Sequence, residues 1–207
     1  MDAKPDTLPT AGAAAPRRRA PGARRLQILQ TLAAMLEDPR GEKITTAALA
    51  AKLSVSEAAL YRHFASKAQM FEGLIEFIES SVFGLINDIA TREASGLRQV
   101  RAIVLMLLEF AQANRGMTRV LIGDALVNEH DRLQERMNQF MDRVEASIRQ
   151  SYRVAISREE LPPQFDAAAR AALVTAFVIG RWHRFAKSGF RRAPAENVEA
   201  QLPALLV

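Results

Sequence analysis

Residues 44–64 read Ile44-Thr45-Thr46-Ala47-Ala48-Leu49-Ala50-Ala51-Lys52-Leu53-Ser54-Val55-Ser56-Glu57-Ala58-Ala59-Leu60-Tyr61-Arg62-His63-Phe64. The pattern predicts two short helices joined by a tight turn at Leu53-Ser54-Val55. Thr45 suits the N-cap of the first, since its hydroxyl can accept a bond from a free backbone N–H of the opening turn. Ile44 and Leu49 then form a hydrophobic staple across that cap. Ser56 repeats the device for the second helix, with Val55 and Leu60 as staple and Glu57 at the positive end of the helix dipole. Ala48, Leu49, Leu53, Val55, Leu60 and Phe64 are the expected core of the unit. Ser56, Glu57, Ala58, Tyr61 and Arg62 are left on an outer face, small at its start and polar further on. A helix with a slim N-terminal end fits the major groove of duplex DNA, where side chains reach base edges. The same pattern also serves an ordinary helical hairpin in an all-α core. The doubled cap and staple, the basic approach from the N-terminal side and Lys67 just after Phe64 favour the DNA reading.

Outward from this stretch, the charge is uneven. Residues 1–25 hold six bases, Lys4, Arg17, Arg18, Arg19, Arg24 and Arg25, against Asp2 and Asp6, so the rest of the chain carries only +1 of the net +5. A basic arm on a nearly neutral body points to an anionic partner, nucleic acid first and a membrane surface second. Residues 1–21 are rich in Ala, Pro, Thr and Gly without apolar period, and are expected to be a disordered basic arm. Its Arg17-Arg18-Arg19 suits tracking phosphates or entering a minor groove, and equally a solubilising tail.

A first helix is expected from about Gly22 to Glu37, with Leu26, Leu29, Leu32, Ala33 and Leu36 at helical spacing and Pro39 and Gly41 as its stop. Ser66-Lys67-Ala68-Gln69 reads as a capping box that starts a fourth helix. Its stripe is Phe71, Leu74, Ile75, Ile78, Val82, Leu85, Ile86 and Ile89, while Phe77 stands apart among Glu72, Glu76 and Glu79. A fifth helix around residues 102–108 is apolar on nearly every side, as a central helix would be. Gly116 is expected to open a sixth, and a long charged seventh spans about Glu129 to Val154. Asp166 caps an Ala-rich eighth helix carrying Phe177, Trp182 and Phe185. A final helix from about Ala195 should be limited by Pro203. The chain thus divides into an arm (1–21), a helix-turn-helix head (22–68) and a helical body (69–207).

Leu60-Tyr61-Arg62-His63-Phe64-Ala65-Ser66-Lys67 resembles the signature of TetR-type regulators. The longer run 44–81, with residues 101–108, 114–119, 131–134 and 145–150, is similar to the nucleoid occlusion branch of that family. The resemblance implies an all-α fold of a three-helix DNA-binding head on a dimerising body, whose last two helices form a four-helix interface with their symmetry mates. It implies that Tyr61, His63 and Lys67 hold DNA phosphates. With these go Thr45 and Thr46 for register, and Ser56, Ala58 and Tyr61 for base edges or a thymine methyl. Arg62, Arg24 and Arg25 complete the candidate DNA-facing set. A two-fold particle requires a pseudo-palindromic site. The branch further implies a protein partner, the C-terminal tail of the tubulin-like division protein FtsZ, in a groove between the fourth and fifth helices that involves Phe77, Met106 and Asn114. There Leu85 and Ala113 stand where arginines are expected, and Arg115 where a proline is expected.

Other chemistry is not expected. No cysteine is present, which removes disulfides, thiolate metal sites and cysteine nucleophiles. His63, His130 and His183 fall on three separate helices without metal-ligand spacing. No GxGxxG, Walker loop or GxSxG pattern occurs. The acidic residues of the fourth and seventh helices read as solvated faces rather than a general acid–base pair. An enzyme, a metal and a cofactor are therefore not expected. With no apolar run of membrane-spanning length and no signal-peptide core, the expected place is the cytoplasm, on the nucleoid. Two alternatives stay beside the nucleoid occlusion reading. One is a ligand-responsive repressor whose body encloses a small apolar molecule. The other is a nonspecific architectural protein attached through its basic arm.

Overall fold

Both expected caps of the opening stretch form. The Thr45 side chain accepts from the Ala48 N–H at 3.1 Å, and Ser56 accepts from the Ala59 N–H at 3.3 Å. A computed structural model describes residues 22–38 and 44–207; the arm 1–21 and the expected stop at Pro39 and Gly41 lie outside the described residues. The head comprises α1 (Ala23–Leu36), α2 (Thr46–Lys52) and α3 (Glu57–Tyr61). The body comprises α4 (Lys67–Arg92), α5 (Gly96–Ala113), α6 (Arg115–Leu121), a 3₁₀ turn (Asp124–Leu126), α7 (Asp131–Ser157), α8 (Ala167–Lys187) and α9 (Val198–Leu206). The α2–α3 turn places Ser54 at φ 54°, and Val55 N–H donates back to Ala50 O at 3.0 Å.

The core differs from expectation at single positions. Leu26 points outward and Ile28 takes its place against the head. Ala48 is exposed, whereas Ala50 is buried beside Leu49, Leu60 and Phe64. Leu53 and Val55 are half-buried at the edge. On α4, Leu85 leaves the buried stripe and is 43% exposed. Leu26, Ala48 and Leu85 lie at the margin of a helical face, where the 3.6-residue period leaves inside and outside to the neighbouring elements, while Leu53 and Val55 belong to the turn between α2 and α3. The capping box at Ser66 is also altered. Ser66 accepts from Gln69 N–H as expected, but Gln69 Oε1 reaches past the cap to the Ala65 N–H at 2.9 Å.

Within the body α5 is central, packed against α4, α7 and α8. Val100, Ile103, Val104, Leu107, Leu108 and Ala111 are fully buried on it. At its start a Cβ on Gly96 would stand 2.2 Å from the Ala155 backbone nitrogen, so only glycine lets α5 approach α7 so closely. Glu160 caps that end, accepting from Gly96 N–H at 3.2 Å, Leu97 N–H at 3.0 Å and the Ser95 hydroxyl at 2.9 Å. These bonds outweigh the upward effect of burial and hold its carboxyl below the usual carboxylate range. Trp182 Nε1 donates to Leu107 O at 3.1 Å and fastens α8 to α5.

The acids of α4 are not simply solvated. Glu72 pairs with Arg132 at 2.7 Å, and Glu79 takes both Arg136 Nε and Nη2, at 3.1 and 2.6 Å, across to α7. Arg143 covers the Phe83 ring from 3.9 Å in the same seam. Nor does Pro203 limit the last helix, which begins at Val198 and continues through it to Leu206. The carbonyls at its end are held from outside. Tyr152 Oη donates to Leu206 O at 3.2 Å, and Arg170 Nη1 to Leu205 O and Val207 O at 3.1 and 3.2 Å. Head and body share one contiguous apolar cluster from Ile28 to Leu206. None of the helices among the described residues is long and apolar enough to cross a membrane.

Candidate nucleic-acid interface

The residues of the expected recognition helix fall on two faces. Leu60 and Phe64 are 1% exposed and root α3 in the head. Ser56, Glu57, Ala58, Tyr61, Arg62 and His63 are all exposed, with Tyr61 at 45%. An aromatic left so open next to small and polar neighbours is a surface with an unmet contact, since a phenol ring gains from burying its apolar body. Thr45 also lies on the exposed side of the head and keeps its own O–H free of the cap bond, in which its oxygen only accepts.

Four of the candidates have intramolecular work. Thr46 Oγ1 donates to Glu57 Oε2 at 2.6 Å and clamps the start of α2 to the start of α3. Arg25 Nη1 donates to His63 O at 2.9 Å while its guanidinium lies 4.1 Å over the Phe64 ring. That makes Arg25 a brace for the end of α3. Lys67 makes an ion pair with Glu129, in the segment that leads into α7. Arg24 bonds Gln27 Oε1 at 2.8 Å along α1. The structure thus brings Thr45, Ser56, Ala58, Tyr61, Arg62 and His63 to the outside of the head and draws Lys67 toward the body. Glu129 carries no sequence signal for this role, because it lies 62 residues from its partner.

The head is fixed to the body by a second group that the sequence does not announce. Arg119, 9% exposed on α6, donates from Nη1 to Leu36 O and Asp38 O at the end of α1, at 3.4 and 3.3 Å. Its Nε meets Asp124 Oδ2 at 2.7 Å, and Asp124 Oδ1 meets Lys187 Nζ at 2.5 Å. Burial raises the Asp124 carboxyl, but the bonds from Lys187 and Arg119 prevail and hold it below its ordinary value.

Of the expected peptide groove, Phe77 is 44% exposed and Leu85 lies two turns further along α4, with open space over Gly84 between them. Met106 is half-buried on α5, and Asn114 spends its Nδ2 on Phe110 O at 2.8 Å. Elsewhere on the body, α8 exposes Ala169, Ala172, Leu173, Ala176 and Gly180 along one face. A cleft of about 470 Å³ between Phe177, Gly180, Arg181 and the α9 residues Gln201, Ala204 and Leu205 adjoins it. Such a face of small and apolar residues suits close approach of another helix pair. The α5 side chains Val100, Ile103, Val104, Leu107 and Leu108, and Trp182 of α8, are buried in the interior of the body. No group of three His, Cys, Asp or Glu that could hold a metal occurs among the described residues.

Comparison with known proteins places this geometry. Residues 41–74 match the family described as bacterial regulatory proteins, tetR family, and residues 94–207 match the SlmA-like tetracyclin repressor-like C-terminal domain. The chain is 51% identical over 178 residues to the nucleoid occlusion factor SlmA of Idiomarina loihiensis, covering 86% of this chain and 91% of that protein. It is 47% identical over 183 residues to the protein of the same name from Escherichia coli O1:K1 / APEC, covering 88% and 92%. Among solved structures it is similar to the transcriptional regulator FadR of Bacillus subtilis in complex with stearoyl-CoA, with a TM-score of 0.74 at 11% identity, over 87% of this chain and 97% of that one. It is also similar to AibR in complex with isovaleryl coenzyme A and operator DNA, with a TM-score of 0.66 at 18% identity, over 88% and 98%. These two likenesses concern the fold alone.

Proposed function

The chain belongs to the TetR family of DNA-binding regulators, in its nucleoid occlusion branch, and from that membership we propose that it acts as a sequence-specific homodimer that blocks septum formation over the chromosome. The observation that carries the DNA half is the outward face of α3, with Ser56, Ala58, Tyr61, Arg62 and His63 exposed behind a side-chain cap. In this reading Ser56, Ala58 and Tyr61 meet base edges, and Thr45, Tyr61, His63 and Lys67 meet phosphates. Thr46 acts through Glu57, and Arg25 through the His63 carbonyl. The small-residue face of α8 with α9 pairs two protomers and sets two heads on a pseudo-palindromic duplex. Its place is the cytoplasm, on the nucleoid. Selection of bound duplexes from a random pool tests the DNA half; a pool that returns no enriched two-fold sequence defeats it.

The division half is carried by the relatives' nucleoid occlusion role together with the exposed Phe77 on α4. The partner is the FtsZ C-terminal tail, lying along α4 and α5 with Phe77 as anchor and Met106 and Asn114 beside it. Leu85 offers an apolar contact where the branch would offer a cation, so tail binding here depends less on salt. A labelled tail peptide titrated against the DNA-bound protein decides the matter, and absence of binding at concentrations on the order of tens of micromolar defeats it.

A further inference from the structure

We propose that Glu129 is a built-in competitor for DNA at Lys67: the free protein holds this lysine against its own body, and a duplex has to take it away. The inference rests on the DNA reading above and adds its regulation. Lys67 is the first residue of α4, directly after the Ser66 cap and three positions beyond Phe64, where the head ends. Glu129 reaches it from the segment before α7, so the pair ties the start of α4, directly beside the head, to the rest of the body.

Neither partner is a loose surface charge. The Lys67 and Glu129 side chains are 21% and 11% exposed, so counter-ions screen their attraction less than that of exposed charges. The Glu129 backbone is set by its N–H bond to Leu126 O at 3.0 Å, by Asn128 at φ 64° before it, and by His130, whose Nδ1 accepts from the Arg132 N–H at 3.4 Å after it. The Lys67 ammonium also stands 5.6 Å from the Phe71 ring centroid. A phosphate arriving at Lys67 therefore meets an ammonium already neutralised. An ammonium has three donors, but a carboxylate and a phosphate sharing it repel each other. Glu129 thus weakens the complex whether it is displaced or stays. Once Lys67 turns to DNA, the tie between the start of α4 and the segment before α7 is released, while Arg119 keeps its hold on the α1 carbonyls.

The test titrates wild type, Glu129→Gln, Asp131→Asn, Lys67→Ala and the Lys67→Ala/Glu129→Gln double variant with the duplex that the wild-type chain selects from a random pool. Asp131, exposed two positions on, loses the same charge without touching Lys67 and serves as the control. Glu129→Gln is expected to tighten binding by about three- to tenfold, the scale of a partly exposed ion pair. Asp131→Asn should change it by less than about twofold, as a mere shift of the overall field. In the Lys67→Ala background, Glu129→Gln should change nothing. Equal affinity of Glu129→Gln and wild type overturns the proposal, as does an equal gain in Asp131→Asn or a gain that persists without Lys67. A wild type that binds no duplex overturns the DNA reading and this inference with it, so the two failures are told apart. Should Glu129→Gln lose helicity, Glu129→Asp, which shortens the acid by one methylene, carries the same test with a smaller expected gain.

Discussion

A Cβ added to Gly116 would stand 1.9 Å from the carbonyl oxygen of Ala33. The first turn of α6 therefore lies directly on the backbone of α1, and the head rests on the body at a point where no side chain fits. Gly116→Ala forces the two helices apart, at a cost of about 3 kcal/mol. Chemical unfolding should show that loss. DNA affinity should fall in parallel, because α1 carries the Arg25 brace of α3. A variant as stable as wild type would mean that the seam is looser than described.

Removing a cap acts locally. Ser56→Ala deprives the Ala59 N–H of its acceptor and should cost about 1 kcal/mol. Since α3 has only five residues, the loss appears as faster amide exchange in the head, with exchange in α5 unchanged. Uniform acceleration across the chain would contradict a local effect.

Arg25→Ala removes the bond to His63 O and the cover of Phe64. Operator affinity should weaken about threefold to tenfold, with the salt slope nearly unchanged, because a brace neutralises no phosphate. Lys67→Ala, by contrast, should reduce the slope by about one. A slope that drops equally in both variants would place Arg25 on DNA instead.

Gly180 has open space where a Cβ would be, on the exposed face of α8. Gly180→Glu should therefore fold as well as wild type, even gaining about 0.5 kcal/mol in helix propensity. If the face pairs protomers, two like charges across the two-fold axis separate them. Sedimentation should then report a protomer, and binding to the two-fold duplex should collapse. A persisting dimer would move the interface elsewhere.

The Asp124 carboxyl gives stability a definite pH dependence. Its folded value lies below its unfolded one because Lys187 and Arg119 prevail over burial. Stabilisation from this group is thus complete above the unfolded pKa, about 3.9, and fades as pH falls through the lower folded value. The stability difference between wild type and Asp124→Asn should stay constant above about pH 5 and shrink below about pH 4. A difference that grows on acidification would reverse the sign argued here.

The head was the most legible part. Thr45, Ser56, Ser66 and Asp166 act on N–H groups two or three residues away, so a cap is readable from adjacent residue types alone. The apolar runs of α5 and α7 were equally plain, since a helix repeats its inner face every three to four residues. The exposure of Leu26, Ala48 and Leu85 is not legible in the sequence because each sits at the margin of a face, where neighbouring helices decide exposure. The passage of α9 through Pro203 is equally illegible there, because Tyr152 and Arg170 support the end of α9 from elsewhere in the chain.

By itself, then, the amino-acid order determined the helices, the head, the outward residues of α3 and the family, all of which depend on short-range spacing. Tertiary structure alone decided that Lys67 faces Glu129, that Arg119 clasps the end of α1, and that the acids of α4 meet the arginines of α7. Those pairs join residues tens of positions apart, and opposite charges carry no mark of which partner they will meet until packing brings them within a few ångströms and excludes the water between them.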